Sequence, residues 1–166
     1  MTKEEVYKFL EDKNIKYEKQ DHGAVFSMED LEGVKLLHDD ANAKNLFCYD
    51  KKNKKYYLII VSGDDRVNLK KFKKDHGIKS LNFASDEQLK EVLDLTPGSV
   101  SPMGILNDKN NQVDLYIDNY FARDGALIAC HPNDNTVSIW LKVSDLIKLV
   151  EENGNEVHFY SNSNIE

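Results

Sequence analysis

Three short segments of this 166-residue chain join polar or reactive side chains to a constrained backbone: Ala43-Lys-Asn-Leu-Phe47, Gly98-Ser-Val-Ser-Pro102 and Cys130-His-Pro-Asn-Asp-Asn-Thr136. In the first, the Lys44 ammonium stands at the head of an apolar run, where it either pairs with an anion or marks the boundary with solvent. The second lies in Thr96–Gly104, which holds two of the chain's three prolines and two of its eight glycines. Proline fixes φ and lacks an N–H, while glycine permits positive φ and close approach to the main chain. Such a loop suits a cradle whose amides face a ligand; a rigid connector is the plainer reading. In the third, His131 precedes a proline and is followed by the turn formers Asn133, Asp134 and Asn135.

The commoner chemistries find no support. The chain has no G-x-x-x-x-G-K-[ST], G-x-G-x-x-G or H-E-x-x-H, the usual signatures of phosphate, dinucleotide and zinc sites. A metal held by Cys130, His131 and Asp134 is disfavoured, because successive side chains of a strand point to opposite faces. Ser99 and Ser101 lie in no G-x-S-x-G setting, so neither reads as a nucleophile. No cofactor is expected.

Taken together and in order, A-K-N-L-F, the run L-x-L-x-P-G-S-V-S-P-M-G-I-L-N-D (Leu93 to Asp108) and H-P-N-D-N-T resemble the bacterial aminoacyl-tRNA editing family called YbaK or prolyl-tRNA-synthetase-associated domains, the freestanding ProX-like branch above all. The likeness runs from V-F-S-M-E-D at Val25 to the last helix. It implies an α+β domain with a mixed, partly barrel-like sheet surrounded by helices, and hydrolysis of mischarged tRNA. The ProX-like branch removes alanine from tRNA specific for proline. Carried over by position, the family's functional lysine falls on Lys44, its G-x-x-x-P loop on Gly98, Ser99, Val100, Ser101 and Pro102, and its pocket histidine on His131, with Asn133 and Asn135 nearby. The family usually has threonine where Ser27 stands, which keeps a hydroxyl, and often threonine where Ala43 stands, which does not.

That resemblance implies a mechanism without a protein nucleophile, since an aminoacyl ester is already activated and needs a positioned water and a stabilised oxyanion. The amides of Gly98 to Ser101 would hold the aminoacyl end, Lys44 would pair with the terminal phosphate, and His131 would bound a small side-chain pocket. This reading requires Lys44, the loop and His131 to converge on one cavity. Editing of cysteine or serine on a tRNA, or noncatalytic binding of an aminoacyl-tRNA, are the alternatives. The implied partner is the acceptor end of a charged tRNA, and prolyl-tRNA synthetase is a second candidate partner.

The elements expected to position these residues follow from caps and periodicity. Thr2 to Glu5 is a capping box opening a helix that ends near Asn14, and Ser27 to Asp30 is a weaker signal for a short helix toward Leu31. Lys44–Tyr49 and Tyr56–Val61 read as a hairpin. A helix is expected over Asn68–Gly77, a strand over Lys79–Phe83, and a second capping box at Ser85 to Gln88 starts a helix that stops before Thr96-Pro97. Ile105–Leu106, Val113–Ile117, Ala126–Cys130 and Thr136–Leu141 read as short strands. Val143, Leu146, Ile147 and Val150 form the stripe of a last helix, followed by a strand over Glu156–Tyr160. Irregular alternation of short strands and helices favours one α+β domain over residues 1–166.

Composition sets the remaining bounds. The chain is 40% hydrophobic and 31% charged, and no apolar run approaches the roughly 20 residues that span a bilayer. Neither a membrane span nor a secretion signal is read, so a cytoplasmic protein is expected. Cys48 and Cys130 read as buried free thiols. The net charge of −7 argues against bulk coating of DNA or RNA. Two lysine clusters, Lys51–Lys55 and Lys70–Lys74, nevertheless allow contact with a phosphate backbone in a defined place.

Overall fold

In the computed structural model, which describes residues 1–22, 37–63 and 65–162, both capping boxes open helices as expected. The Thr2 hydroxyl accepts from Glu5 N–H while the Glu5 carboxylate accepts from Thr2 N–H, starting α1 (Lys3–Asp12), whose Val6 and Leu10 are buried. Asn68 caps α2 (Leu69–Asp75), and Gly77 stops the chain beyond it at φ 66°. Ser85 and Gln88 start α3 (Asp86–Leu93), and α4 (Val143–Glu152) buries Leu146, Leu149 and Val150. The helix expected from Ser27 to Leu31 lies outside the described residues. No helix among the described residues is long and apolar enough to cross a membrane.

The strands are β1 (Glu18–Asp21), β2 (Ala43–Asp50), β3 (Lys55–Ser62), β4 (Asn82–Phe83), β5 (Val113–Asp118), β6 (Leu127–Cys130), β7 (Val137–Lys142) and β8 (Val157–Tyr160). The β2–β3 hairpin is as expected. Its turn is held by buried Asp50, which accepts from the N–H groups of Lys52 and Asn53 and from Asn53 Nδ2. A five-stranded sheet runs β4-β2-β3-β5-β8, and a three-stranded sheet runs β1-β7-β6. β3–β5 and β5–β8 pair in parallel and the other pairs are antiparallel, so the pairing is mixed.

The described strands form these two sheets and not one sheet closing toward a barrel. β2 approaches β6 within 8 Å between Cα atoms without a ladder, and Cys130 at the end of β6, paired with Ile139 of β7, is also met by the loop side chain Ser101. The main core gathers Phe47 and Leu58 from one face of the large sheet with Ile128, Ile139 and residues of α1, α3 and α4. A smaller core on the opposite face sets Phe72 of α2 against Cys48, Tyr57 and Tyr116. Each such side chain, fully buried, contributes about 1.5–3 kcal/mol. Both cysteines are free and buried, and burial pushes each thiol up to about 12.

Ile105–Leu106 is not a strand. It lies in a 3-10 helix, Pro102–Asn107, because the Ser101 hydroxyl caps Met103 N–H, Pro102 presets the first φ, and Gly104 N–H donates to Ser101 O. Gly104 is closely seated there: a β-carbon would come within 2.6 Å of Leu95 Cδ1 and 3.2 Å of Leu93 Cβ, so the leucines would have to shift. The strand expected over Lys79–Phe83 is confined to Asn82–Phe83, and β1, with the sequence E-K-Q-D, went unread. It is a polar edge strand with no apolar alternation to betray it.

Candidate active site

The segment from Thr96 to Pro102 is a turn followed by a helix cap. Ser99 N–H closes the turn on Thr96 O at 3.1 Å, and Gly98 takes φ 89°, a conformation that strains any residue with a β-carbon. Ser99 is therefore unavailable as an amide donor to a ligand. Among the described residues, the amides of Gly98, Val100 and Ser101 have no hydrogen-bond partner. Val100 packs on the main core, and Ser99, Ser101 and Pro102 are buried.

Ser101 is wholly buried and joins two of the segments singled out in the sequence. Its hydroxyl donates to the backbone carbonyl of His131 at 2.5 Å and accepts from Met103 N–H at 3.1 Å. A hydroxyl has one proton to give, and here it goes to a carbonyl, which explains why Ser101 is unsuited to nucleophilic attack. The Cys130 thiol also touches Ser101.

His131 Nδ1 lies 2.8 Å from Val137 O. A carbonyl only accepts, so Nδ1 carries the proton and Nε2 keeps its lone pair in the neutral ring. Burial, seconded by the nearby His22 ring, lowers the His131 pKa below its ordinary 6.5. The two imidazoles meet edge to face with centroids 6.3 Å apart, and His22 Nε2 hydrogen-bonds Ser138 Oγ at 2.9 Å. His22 was missed by sequence reasoning, since a histidine beside Gly23 in a polar stretch carries no local signal.

The turn after His131 is held by its own side chains. Thr136 donates to the Asp134 carboxylate through N–H at 2.9 Å and Oγ1 at 2.5 Å, which holds that carboxyl below the usual carboxylate range. Asn133 sits at φ 63°, and its Nδ2 donates to Met1 O at 3.3 Å while its buried Oδ1 has no partner. Asn135 is half-buried in the same turn.

Lys44 is the second residue of β2, opposite Val61, and among the described residues it has no hydrogen-bond or ion-pair partner. Leu46 and Cys48 belong to the smaller core, whereas Ala43, Phe47 and Tyr49 belong to the main one. Strand alternation therefore roots Lys44 on the smaller core's face and Asn45 on the main core's face. The main core is where Val100, Met103 and Cys130 pack. Asn45 Oδ1 is buried without a partner among the described residues, and this amide, beside Ile60 of β3 in the ladder, is a second polar group that the sequence reading passed over. It lay in the quoted A-K-N-L-F segment.

The short helix Asp39–Ala41 leads into β2 and packs on β6, with Asp40 and Ala41 sharing a hollow with Gly125, Ala126 and Leu127 at the start of that strand. This hollow of about 320 Å³ is also lined by His38, Arg123 and Asp124 and by none of the residues picked from the sequence. Ser27 lies outside the described residues. The loop and His131 are thus joined directly, and Lys44 and Asn45 stand on the strand that approaches β6.

Comparison with known proteins bears on this arrangement. The chain is 36% identical to the prolyl-tRNA editing protein ProX of Acetoanaerobium sticklandii over 93% of both chains. It is 30% identical to the prolyl-tRNA synthetase associated domain-containing protein 1 of Bos taurus, over 86% of this chain and 84% of that one. A crystal structure of a candidate trans-editing enzyme for prolyl tRNA synthetase superposes with a TM-score of 0.69 at 20% identity, covering 97% of each chain. The profile of the family described as the aminoacyl-tRNA editing domain matches residues 22–149, a span that starts at the histidine packed against His131 and takes in β2, the capped loop and the Asp134 turn, and the chain belongs to that family.

Proposed function

We propose that the protein hydrolyses the ester of mischarged aminoacyl-tRNA, acting in trans to remove alanine from tRNA specific for proline. The observation that carries this reading is the Ser101–His131 hydrogen bond, which ties a loop with three amides unpartnered among the described residues to the backbone of a histidine whose tautomer is fixed by Val137 O. The ester carbonyl lies against the amides of Gly98, Val100 and Ser101, which stabilise the oxyanion as water adds to the carbonyl carbon. The C–O bond to the ribose then breaks, and the ribose oxygen takes up a proton. Lys44, uncommitted to any ion pair among the described residues, holds the terminal phosphate, and Asn45 offers its amide from the core side of the same strand. His131 Nε2 accepts from the water or from the neighbouring ribose hydroxyl. Asn133 and Asn135 line the turn beside it. Prolyl-tRNA synthetase is the natural partner for this activity, since its product pool is the one being edited.

Alanine is the expected substrate because a proline-sized synthetase pocket rejects a smaller amino acid only by the few kcal/mol of its missing contacts, so a second, smaller sieve is needed. In a panel of charged tRNAs, alanyl-tRNA for proline should be deacylated at least about 100-fold faster than prolyl-tRNA, two decades being the scale on which small-side-chain errors must be corrected. Equal rates on the two, or turnover only of cysteinyl or seryl esters, would refute the alanine assignment.

The reaction needs His131 neutral, and its pKa lies below 6.5. Corrected for spontaneous ester hydrolysis, kcat/KM should therefore be level above pH 6.5 and fall as the pH drops through the lowered value. The same shift destabilises the fold on acidification: the stability present above pH 6.5 is lost as the buried ring is forced to take a proton. His131→Gln should abolish the acidic limb of the rate profile. A limb centred above 6.5 would assign the titration to another group.

A further inference from the structure

Resting on the reading that the substrate is a tRNA, we propose that the outer face of α2, carrying Lys70, Lys73 and Lys74, is the surface that binds the RNA phosphate backbone. Phe72 is buried among Tyr57, Tyr116 and Tyr160, which fixes the rotation of α2 on the sheet. Residues 70, 73 and 74 stand at i, i+3 and i+4, so they share the side of the helix turned away from Phe72. Lys70 and Lys74 are exposed and Lys73 is half-buried. Among the described residues none of the three has an ion-pair partner, whereas Lys71 is paired with Asp75. Three lysines without an ion-pair contact among the described residues, of which Lys74 has the more distant Asp75 charge acting on it, are a local reversal of sign in a chain of net charge −7. A polyanion docking here is held in place, because the net charge of the remaining surface is negative.

Position separates this cluster from the other one. Leu69, at the start of α2, packs in the same small core as Leu46, two residues from Lys44 and on the same face of β2. The lysines of the β2–β3 turn lie at the far end of that strand, some seven residues or about 23 Å from Lys44. Lys55 is moreover committed to Asp114 at 2.9 Å. A strand of RNA whose terminal phosphate meets Lys44 therefore runs onto α2 and away from the turn.

The test uses an uncharged acceptor-stem RNA hairpin and fluorescence anisotropy at a series of KCl concentrations. The triple variant Lys70→Gln/Lys73→Gln/Lys74→Gln should raise Kd at least about tenfold at 50 mM KCl and flatten the slope of log Kd against log[KCl] by about two, the loss expected for two to three phosphate contacts. The arginine triple at the same positions should restore both, and Lys51→Gln/Lys52→Gln/Lys54→Gln should change Kd less than about twofold, since surface charges outside the interface contribute little. A wild-type slope in the helix variant, an equal loss in the turn variant, or no salt-sensitive binding by the unmutated protein would overturn the proposal. So would equally strong competition by phosphatidylserine vesicles, which would make the patch a membrane surface. The hairpin carries no ester, so the outcome is independent of whether the protein deacylates alanyl-tRNA.

Discussion

Lys44→Ala is expected to lower kcat/KM for deacylation about 100-fold, the scale of removing one preorganised contact to developing or fixed negative charge, with little change in thermal midpoint. The two halves of that expectation have separate causes. Lys44 has no ion-pair or hydrogen-bond partner among the described residues, so truncation orphans no buried group. A change of that kind is worth within about 0.5 kcal/mol of stability either way. The β2–β3 ladder passes through backbone groups that alanine retains, with Lys44 opposite Val61. The proposed activity, by contrast, rests on a property alanine removes, a cation on a long stem at the head of β2. Lys44→Arg keeps that charge and should recover part of the loss, incompletely, because a planar guanidinium and a compact ammonium place their donors differently. Deacylation by Lys44→Ala at the wild-type rate would remove the phosphate anchor from the mechanism, while leaving the loop and His131 as a site.

The parts of the fold legible in the sequence are those whose signal is local. Thr2 with Glu5, Ser85 with Gln88, and Asn68 with Gly77 announce helix ends within four to nine residues, and the β2–β3 hairpin announces itself by apolar runs around a turn held by Asp50. What failed was decided by tertiary contact. Ile105 and Leu106 have strand-like side chains, yet Ser101, Pro102 and the tight seat of Gly104 on Leu95 turn them into a 3-10 helix. β1 pairs with β7 through backbone groups while its side chains are mostly exposed, so nothing in E-K-Q-D could point to it.

The candidate site divides the same way. Its segments were visible, because prolines, glycines and turn formers concentrate where a backbone must be held. Their internal logic was not. That the Ser99 amide closes its own turn, and that alternation along β2 gives the main-core face to Asn45 and the other to Lys44, emerges only from hydrogen bonds and register. The polar orphan Asn45 Oδ1 is the clearest case. A strand sequence tells which residues share a face, but only the packing tells which face receives the loop.

Ser101→Ala should be damaging in both respects that Lys44→Ala separates. The hydroxyl is wholly buried and bridges His131 O and Met103 N–H. Removing it leaves a buried acceptor and a buried donor without a partner, at about 1–3 kcal/mol each. A loss of about 2–6 kcal/mol is expected, which at this chain length lowers the thermal midpoint by roughly 5–17 °C. Deacylation measured well below that midpoint should still fall at least about tenfold, since a loop displaced by even about 1 Å from the histidine misplaces the amides that meet the ester. The fall should lie in kcat, because the lysines proposed to hold the RNA are untouched. If Ser101→Ala destabilises the protein as stated yet retains wild-type kcat, then the loop and His131 do not act on one carbonyl. Their hydrogen bond would then be a staple of the fold, and the oxyanion would have to be held by groups outside this loop.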